Sequence, residues 1–318
     1  MRNKALGAEH PLVATSYNNI GQTYNNKGEY DKAIGYYEKS LAVKLKTLGA
    51  EHPSVGTSYN NIGQAYDKKG EYDKAIGYYE KSLAIFLKAL GAEHPLVAAS
   101  YNNIGSAYDN KGEYDKAIGY YEKALAISIK KLGAEHPDVG TSYNNIGVSY
   151  NEKGEYDKAI GYYEKDLAIS IKKLGAEHPD VGGSYNNIGS AYGDKGEYDK
   201  AIGYYEKALA IQLKALGAEH PLVATSYNNI GVSYRKQGEY DKAIGYYEKD
   251  LAIRLKTLGT EHLSVATSYG NIAKSYYNKG DKTKAMAYLL KAKAIYLKKL
   301  GAQHPRTKKV QSLIDGLK

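Results

Sequence analysis

Cysteine is absent from the 318 residues. That excludes disulfides and thiolate chemistry and fits a reducing compartment, the cytoplasm. No apolar run approaches the roughly 20 residues that a membrane helix needs, and the opening MRNKALGAEHP carries no signal-peptide core. No glycine-rich phosphate loop with its lysine and no HExxH occurs. Phenylalanine appears once, against thirty-five tyrosines. The chain therefore offers no motif for an enzyme, a cofactor or a membrane protein, and what it does offer is repetition.

The stretch from Ser16 to Pro53, SYNNIGQTYNNKGEYDKAIGYYEKSLAVKLKTLGAEHP, recurs at a fixed spacing of 42 residues. All eight histidines fall on that grid: His10, His52, His94, His136, His178, His220, His262 and His304. A period of this length belongs to a stacked array rather than to the two or three domains that the length alone suggests.

Each unit reads as two helices. Pro11 suits a first helical turn, where its missing N–H costs nothing. Val13, Tyr17, Ile20 and Tyr24 then follow at helical spacing. Gly28 suits a left-handed helix end. A second helix starts near Asp31, carries Ile34, Tyr37, Leu41, Leu45 and Leu48 on one face, and stops at Gly49. Neither stripe can be buried by its own hairpin, so stacking is required. Six units follow at 11–52, 53–94, 95–136, 137–178, 179–220 and 221–262. A seventh, 263–304, departs at Leu263, Gly270, Ala273, Lys282 and Lys293. Residues 1–10 match the end of a second helix, a remnant of a preceding repeat. Residues 305–318 form an amphipathic capping helix, with Val310, Leu313, Ile314 and Leu317 on its sticky side.

Tyr17, Ile20-Gly21, Tyr24, Ala33, Tyr37 and the small Ser40 resemble the tetratricopeptide pattern, with tyrosine in place of its first tryptophan. The 42-residue length, the His-Pro before the first helix and the Asn-Asn within it resemble the kinesin light chain type. The resemblance covers residues 11–304. It implies an all-α, right-handed superhelical solenoid of seven antiparallel hairpins, whose first helices line a concave groove. It further implies that groove asparagines hold the backbone of an extended peptide. Residue by residue, that role passes to Asn19, Asn61, Asn103, Asn145, Asn187, Asn229 and Asn271, with their preceding partners Asn18, Asn60, Asn102, Asn144, Asn186 and Asn228.

Asparagine is a poor helix former and needs a reason inside a helix. An amide offers donor and acceptor together, so a row of them can pair with a chain of any sequence. The competing reading is that one amide of each pair bonds a neighbouring repeat, and both can hold. The histidines sit one per repeat in AEHP-type loops. At about 10 Å between packed helices they cannot share a zinc ion that needs donors within about 2.1 Å. A loop or capping role is expected, and no metal. Gly35, Gly77, Gly119, Gly161, Gly203 and Gly245 lie inside second helices at a cost of about 1 kcal/mol each. They read as inherited from one duplicated unit.

Variation between repeats gathers at three first-helix positions. One runs Gln22, Gln64, Ser106, Val148, Ser190, Val232 and Lys274; the next runs Asn25, Asp67, Asp109, Asn151, Gly193, Arg235 and Tyr277; the third runs Asn26, Lys68, Asn110, Glu152, Asp194, Lys236 and Asn278. All three share the asparagine face. Asp109, Glu152 and Asp194 make its middle acidic, while Arg235, Lys236 and Lys274 make its end basic. Acidic Asp138 and Asp180 add to the middle if they face inward. The expected function is a non-catalytic scaffold for a peptide or partner protein, either a monomer or weakly associated end to end. Two alternatives stand beside it. One is a designed or truncated array with no natural ligand, which the near-identity of the units favours. The other is a nucleic-acid binder, suggested by the net charge of +9. Alternating lysines and acids, without an aromatic–basic face, weigh against the latter.

Overall fold

A computed structural model describes residue 7 and residues 10–317. The expected remnant over residues 1–10 lies almost wholly outside the described residues. Two compact units divide the chain, Met1–Glu155 and Tyr156–Lys318, and each is described by itself.

In the first unit the helices are α1 (Pro11–Asn26), α2 (Tyr30–Leu48), α3 (Pro53–Lys69), α4 (Tyr72–Leu90), α5 (Pro95–Asn110), α6 (Tyr114–Leu132) and α7 (Pro137–Glu152). In the second they are α8 (Tyr156–Leu174), α9 (Pro179–Lys195), α10 (Tyr198–Leu216), α11 (Pro221–Gln237), α12 (Tyr240–Leu258), α13 (Leu263–Lys279), α14 (Lys282–Leu300) and α15 (Pro305–Asp315). No strand occurs among the described residues. The paired helices in tandem are the solenoid architecture that the repeat spacing predicts.

Sequence sets both ends of each helix. First helices have proline at their start, except α13, and end one or two residues before a glycine. At Gly70, φ is +83° and ψ is 10°, the left-handed conformation that glycine enters without penalty. Gly70 N–H donates to the Asp67 carbonyl and Glu71 N–H to the Tyr66 carbonyl, which satisfies carbonyls the helix leaves open. The histidines are the N-caps. His52 Nδ1 accepts from Ser54 N–H at 3.1 Å, His94 Nδ1 from Leu96 N–H at 3.1 Å and His220 Nδ1 from Leu222 N–H at 3.2 Å. An acceptor at Nδ1 places the ring proton on Nε2. A capping side chain is worth about 1 kcal/mol. His94→Ala is accordingly expected to lower stability by about that amount and His94→Asp to retain most of it. Urea denaturation compares the two, and equal losses would show that the ring is not acting as a cap.

The core lies between hairpins. Val55, Ile62 and Ala65 of α3 are fully buried against Ala33, Ile34, Tyr37 and Leu41 of α2. The same positions recur in the second unit, where Val265 and Ile272 pack with Ala243, Tyr247 and Leu251. Val310 and Ile314 of α15 pack in that cluster with Leu289, Ala292 and Tyr296. Leu48 does not join the core. It is 41% exposed, at the last position of its helix. Tyr36 and its equivalents do more than the periodicity shows. Tyr36 stacks on Tyr24 at 5.5 Å and tilts against Tyr17 at 6.2 Å, with the Lys39 ammonium 4.9 Å above its ring. Lysines and acids form ladders between repeats rather than an evenly solvated coat. Lys69 joins Asp31 to Glu71, Lys111 joins Asp73 to Glu113, and Lys195 joins Asp157 to Glu197.

Candidate ligand-binding face

The paired asparagines are both rungs and exposed valences. In the first unit Asn61 Nδ2 donates to Asn18 Oδ1 at 2.9 Å, and Asn103 Nδ2 donates to Asn60 Oδ1 at 2.8 Å. In the second, Asn271 Nδ2 donates to Asn228 Oδ1 at 2.8 Å. Each rung joins one first helix to the next and uses one donor and one acceptor. Asn18 keeps its Nδ2 group and Asn61 its Oδ1. The rows are not uniform. Asn228 Nδ2 turns to Asn229 Oδ1 at 3.4 Å, and Asn186 Oδ1 accepts from Ser226 Oγ at 3.3 Å. Asn102 Oδ1 is buried with no hydrogen-bond partner among the described residues. Asn19 is exposed; Asn144 and Asn145 in the first unit and Asn187 in the second are half-buried.

The variable rows are less exposed than a simple groove lining would be. Asn25 is 2% exposed, and neither atom of its amide has a partner among the described residues. Asp67 accepts from Asn110 Nδ2 at 3.2 Å. Asp109 accepts from Ser149 Oγ at 2.5 Å. Burial pushes both carboxyls above the usual range, opposed by those hydrogen bonds. Asp109 is thus partly a bracket between the third and fourth repeats. Glu152 and Asp194, one position further on or in the next row, stand in solvent.

The basic end lies within the second unit. Lys274 has its ammonium drawn down, first by the charge of Arg235, then by burial and by Lys236 and Lys309. Four cations gathered this closely repel one another. Arg235 also has a buried Nε without a partner among the described residues. It lies close enough to Tyr247 for its charge to oppose the burial that raises the phenol.

A further set of positions lies in the second helices. One row runs Ser40, Ser82, Ala124, Asp166, Ala208, Asp250 and Ala292; Ser40 Oγ donates to the Ala14 carbonyl of its own repeat, while Asp166 and Asp250 accept from serines of the next. Four residues on come Lys44, Phe86, Ser128, Ser170, Gln212, Arg254 and Tyr296. Lys44 Nζ donates to Ser58 Oγ at 2.8 Å and to the Ser54 carbonyl at 3.3 Å. Ser226 Oγ donates to Gln212 Oε1 at 2.8 Å. Asp250, fully buried, accepts from Arg254 Nε and Ser268 Oγ, each at 2.5 Å. These contacts differ from joint to joint. The readable signal was variation inside an otherwise constant stripe, on the second helix rather than the first. Among the described residues, no three histidines, aspartates or glutamates converge as a metal site would require.

Tandem helix hairpins with a polar row along the first helices define a repeat scaffold. The tetratricopeptide repeat model matches residues 1–46, 12–88, 68–130, 96–172, 138–214, 180–256 and 222–298, and the chain belongs to that family, whose fold is that of a protein-interaction scaffold. Among solved structures, the chain is similar to the kinesin light chain nearly identical TPR-like repeats of Podosopora anserina. Identity there is 31%, over 65% of this chain and 98% of that one, with a TM-score of 0.59. BtubC (BKLC) of P. vanneervenii shares 24% identity over 74% of this chain and 92% of its own, at a TM-score of 0.59. Aspartyl phosphate phosphatase F of Bacillus subtilis, at 17% identity, covers 96% of this chain and 74% of its own, with a TM-score of 0.66. The last two likenesses are of fold alone. A search of curated proteins returns no match. No described helix is long and apolar enough to cross a membrane.

Proposed function

We propose that the chain is a non-catalytic scaffold that holds an extended peptide segment of a partner protein in a groove lined by its first helices. The observation that carries this reading is the asparagine row. The rungs Asn61–Asn18, Asn103–Asn60 and Asn271–Asn228 each spend one donor and one acceptor on the neighbouring repeat, and an amide has further donors and acceptors beyond these. Rungs fixed in this way are preorganised, so a peptide backbone meets donors and acceptors that need no further ordering. Their grip is tolerant of sequence, because it reaches only the backbone of the ligand.

Charge then sets direction. The charges of Arg235, Lys236 and Lys309 all bear on Lys274, and an acidic stretch or a terminal carboxylate suits such a cluster of cations. Exposed pairs contribute only up to about 1 kcal/mol each, so register and association rate respond more than affinity does. A peptide array selects ligands for the test. Asn145→Ala with Asn187→Ala is expected to weaken every selected peptide alike. Arg235→Glu with Lys274→Glu is expected to weaken only the acidic-ended ones. Asparagine variants that leave binding untouched would remove the reading.

A further inference from the structure

A pocket of about 310 Å³ opens between the third and fourth repeats. It is lined on the asparagine face by Ala98, Asn102, Ile127, Ser128, Asp138 and Ser142, among others. The other repeats show what belongs there. At the position of Ser128 they carry Lys44, Phe86, Gln212, Arg254 and Tyr296, all long side chains, except for Ser170 in the fourth. Lys44 occupies the equivalent place between the first two repeats, with its ammonium on Ser58 Oγ and the Ser54 carbonyl. Two repeats further on, those acceptors are Ser142 Oγ and the Asp138 carbonyl. Both are present and already 3.0 Å apart in the same serine-to-carbonyl bond. Serine at position 128 is too short to reach them.

A second observation marks the same place. Asn102 lines the pocket, and its Oδ1 is buried without a partner. Its counterparts Asn18 and Asn60 accept from Asn61 and Asn103. A buried acceptor left open in this way has lost its water without gaining a partner, a penalty that an incoming donor relieves. The charges at the rim permit a cation. The Asp138 side chain is 71% exposed at the mouth, and the lining residue Lys131 shares Glu93, 3.3 Å from its ammonium, with Lys130.

We infer that this pocket takes a lysine side chain of a bound peptide. Its ammonium carries three donors, one for each of Ser142 Oγ, the Asp138 carbonyl and Asn102 Oδ1. The aliphatic stem lies along Ala98 and Ile127, as long cationic side chains do on apolar surface. A compact ammonium with rotatable donors suits single acceptors in different directions better than the planar guanidinium fork does. The inference rests on the groove reading and adds a side-chain specificity to its backbone grip.

The test uses the full chain, ¹⁵N-labelled, titrated with the peptide acetyl-Gly-Gly-Lys-Gly-Gly-amide and with its norleucine counterpart. The lysine peptide is expected to shift the amide signals of Asp138 and Ser142, and the norleucine peptide to bind at least about tenfold more weakly, the equivalent of one charge-assisted hydrogen bond. Ser128→Lys fills the pocket from within and abolishes those shifts. Ser142→Ala, which removes one acceptor without filling the space, weakens binding by about tenfold. Equal binding of the two peptides, no binding of either, or indifference to Ser128→Lys overturns the pocket. Lysine-peptide shifts confined to the asparagine row, unchanged by Ser128→Lys, overturn the pocket and leave the groove reading standing. Loss of binding in the asparagine variants bears on the groove reading alone.

Discussion

Gly105→Ala will lower the urea midpoint of the protein, and Tyr121→Leu in the same chain will restore much of it. A Cβ at Gly105 would stand 2.8 Å from two ring carbons of Tyr121 and 3.2 Å from the Ala117 carbonyl. The ring is 5% exposed and has little room to retreat. Overpacking of this kind costs about 1–3 kcal/mol. The chain contains its own solution in the seventh repeat. There Ala273 stands where the glycine would be and Leu289 where the tyrosine would be, both buried. The two positions are expected to couple in a double-mutant cycle, with the pair less damaging than the sum of its parts. Gly119→Ala is the control, because a Cβ there meets nothing within 4 Å. It should raise stability by up to about 1 kcal/mol through helix propensity and a less mobile unfolded chain. An additive cycle would show that ring and glycine are not matched. A destabilising Gly119→Ala would overturn the view that the second-helix glycines are inherited.

That pair illustrates how much the sequence carries. A 42-residue period is enough to place both helices of each hairpin, because an apolar stripe with proline before it and glycine after it leaves few other solutions. The replacement of Gly231 by Ala273 is visible in one repeat, and so is that of Tyr247 by Leu289. Their contact is not visible, since sequence spacing alone does not say which side chain crosses to the facing helix. The histidines were legible as cap or loop residues because each precedes a helix start. The acceptor role of Nδ1 needed coordinates. The asparagine pairs were legible as a polar row, but its rungs join Asn61 to Asn18 and Asn103 to Asn60, contacts 43 residues apart that no helical wheel displays. Asn25, Asp67 and Asp109 read as groove lining, yet they are partly or wholly buried, Asp67 and Asp109 bonded to Asn110 and Ser149 on the next first helix. Asp166 and Asp250 escaped notice because they interrupt a serine and alanine position on a helix that carries no other sign of ligand contact.

The joint at Asp250 should be the most sensitive point of the second unit. Its carboxylate is fully buried, and it is held by Arg254 on one oxygen and Ser268 on the other. Arg254→Met removes the cation and leaves the carboxylate with one hydroxyl. Breaking a buried pair from one side costs about 3–5 kcal/mol at neutral pH. Removing both partners is a different matter. The third repeat does without either, with Ala124 and Ser128 in their places. Asp250→Ala with Arg254→Ser is therefore expected to recover most of the loss, since Ser268 Oγ still has the Ser264 carbonyl at 3.1 Å. The pH dependence separates this account from simple loss of packing. Burial, the largest influence, already raises the Asp250 carboxyl above its ordinary value, against the pull of Ser268 and Arg254. The folded state then holds a proton that the unfolded state releases, between the unfolded value near 3.9 and the raised folded value. The contribution of this group to stability is accordingly greatest below that window and falls as pH rises through it. Without Arg254 the window extends upward, so the deficit of Arg254→Met should shrink between pH 7 and pH 5 while that of the double variant stays flat. A deficit of Arg254→Met that is equal at both pH values, or a double variant as unstable as the single one, would mean that the arginine contributes packing and not charge.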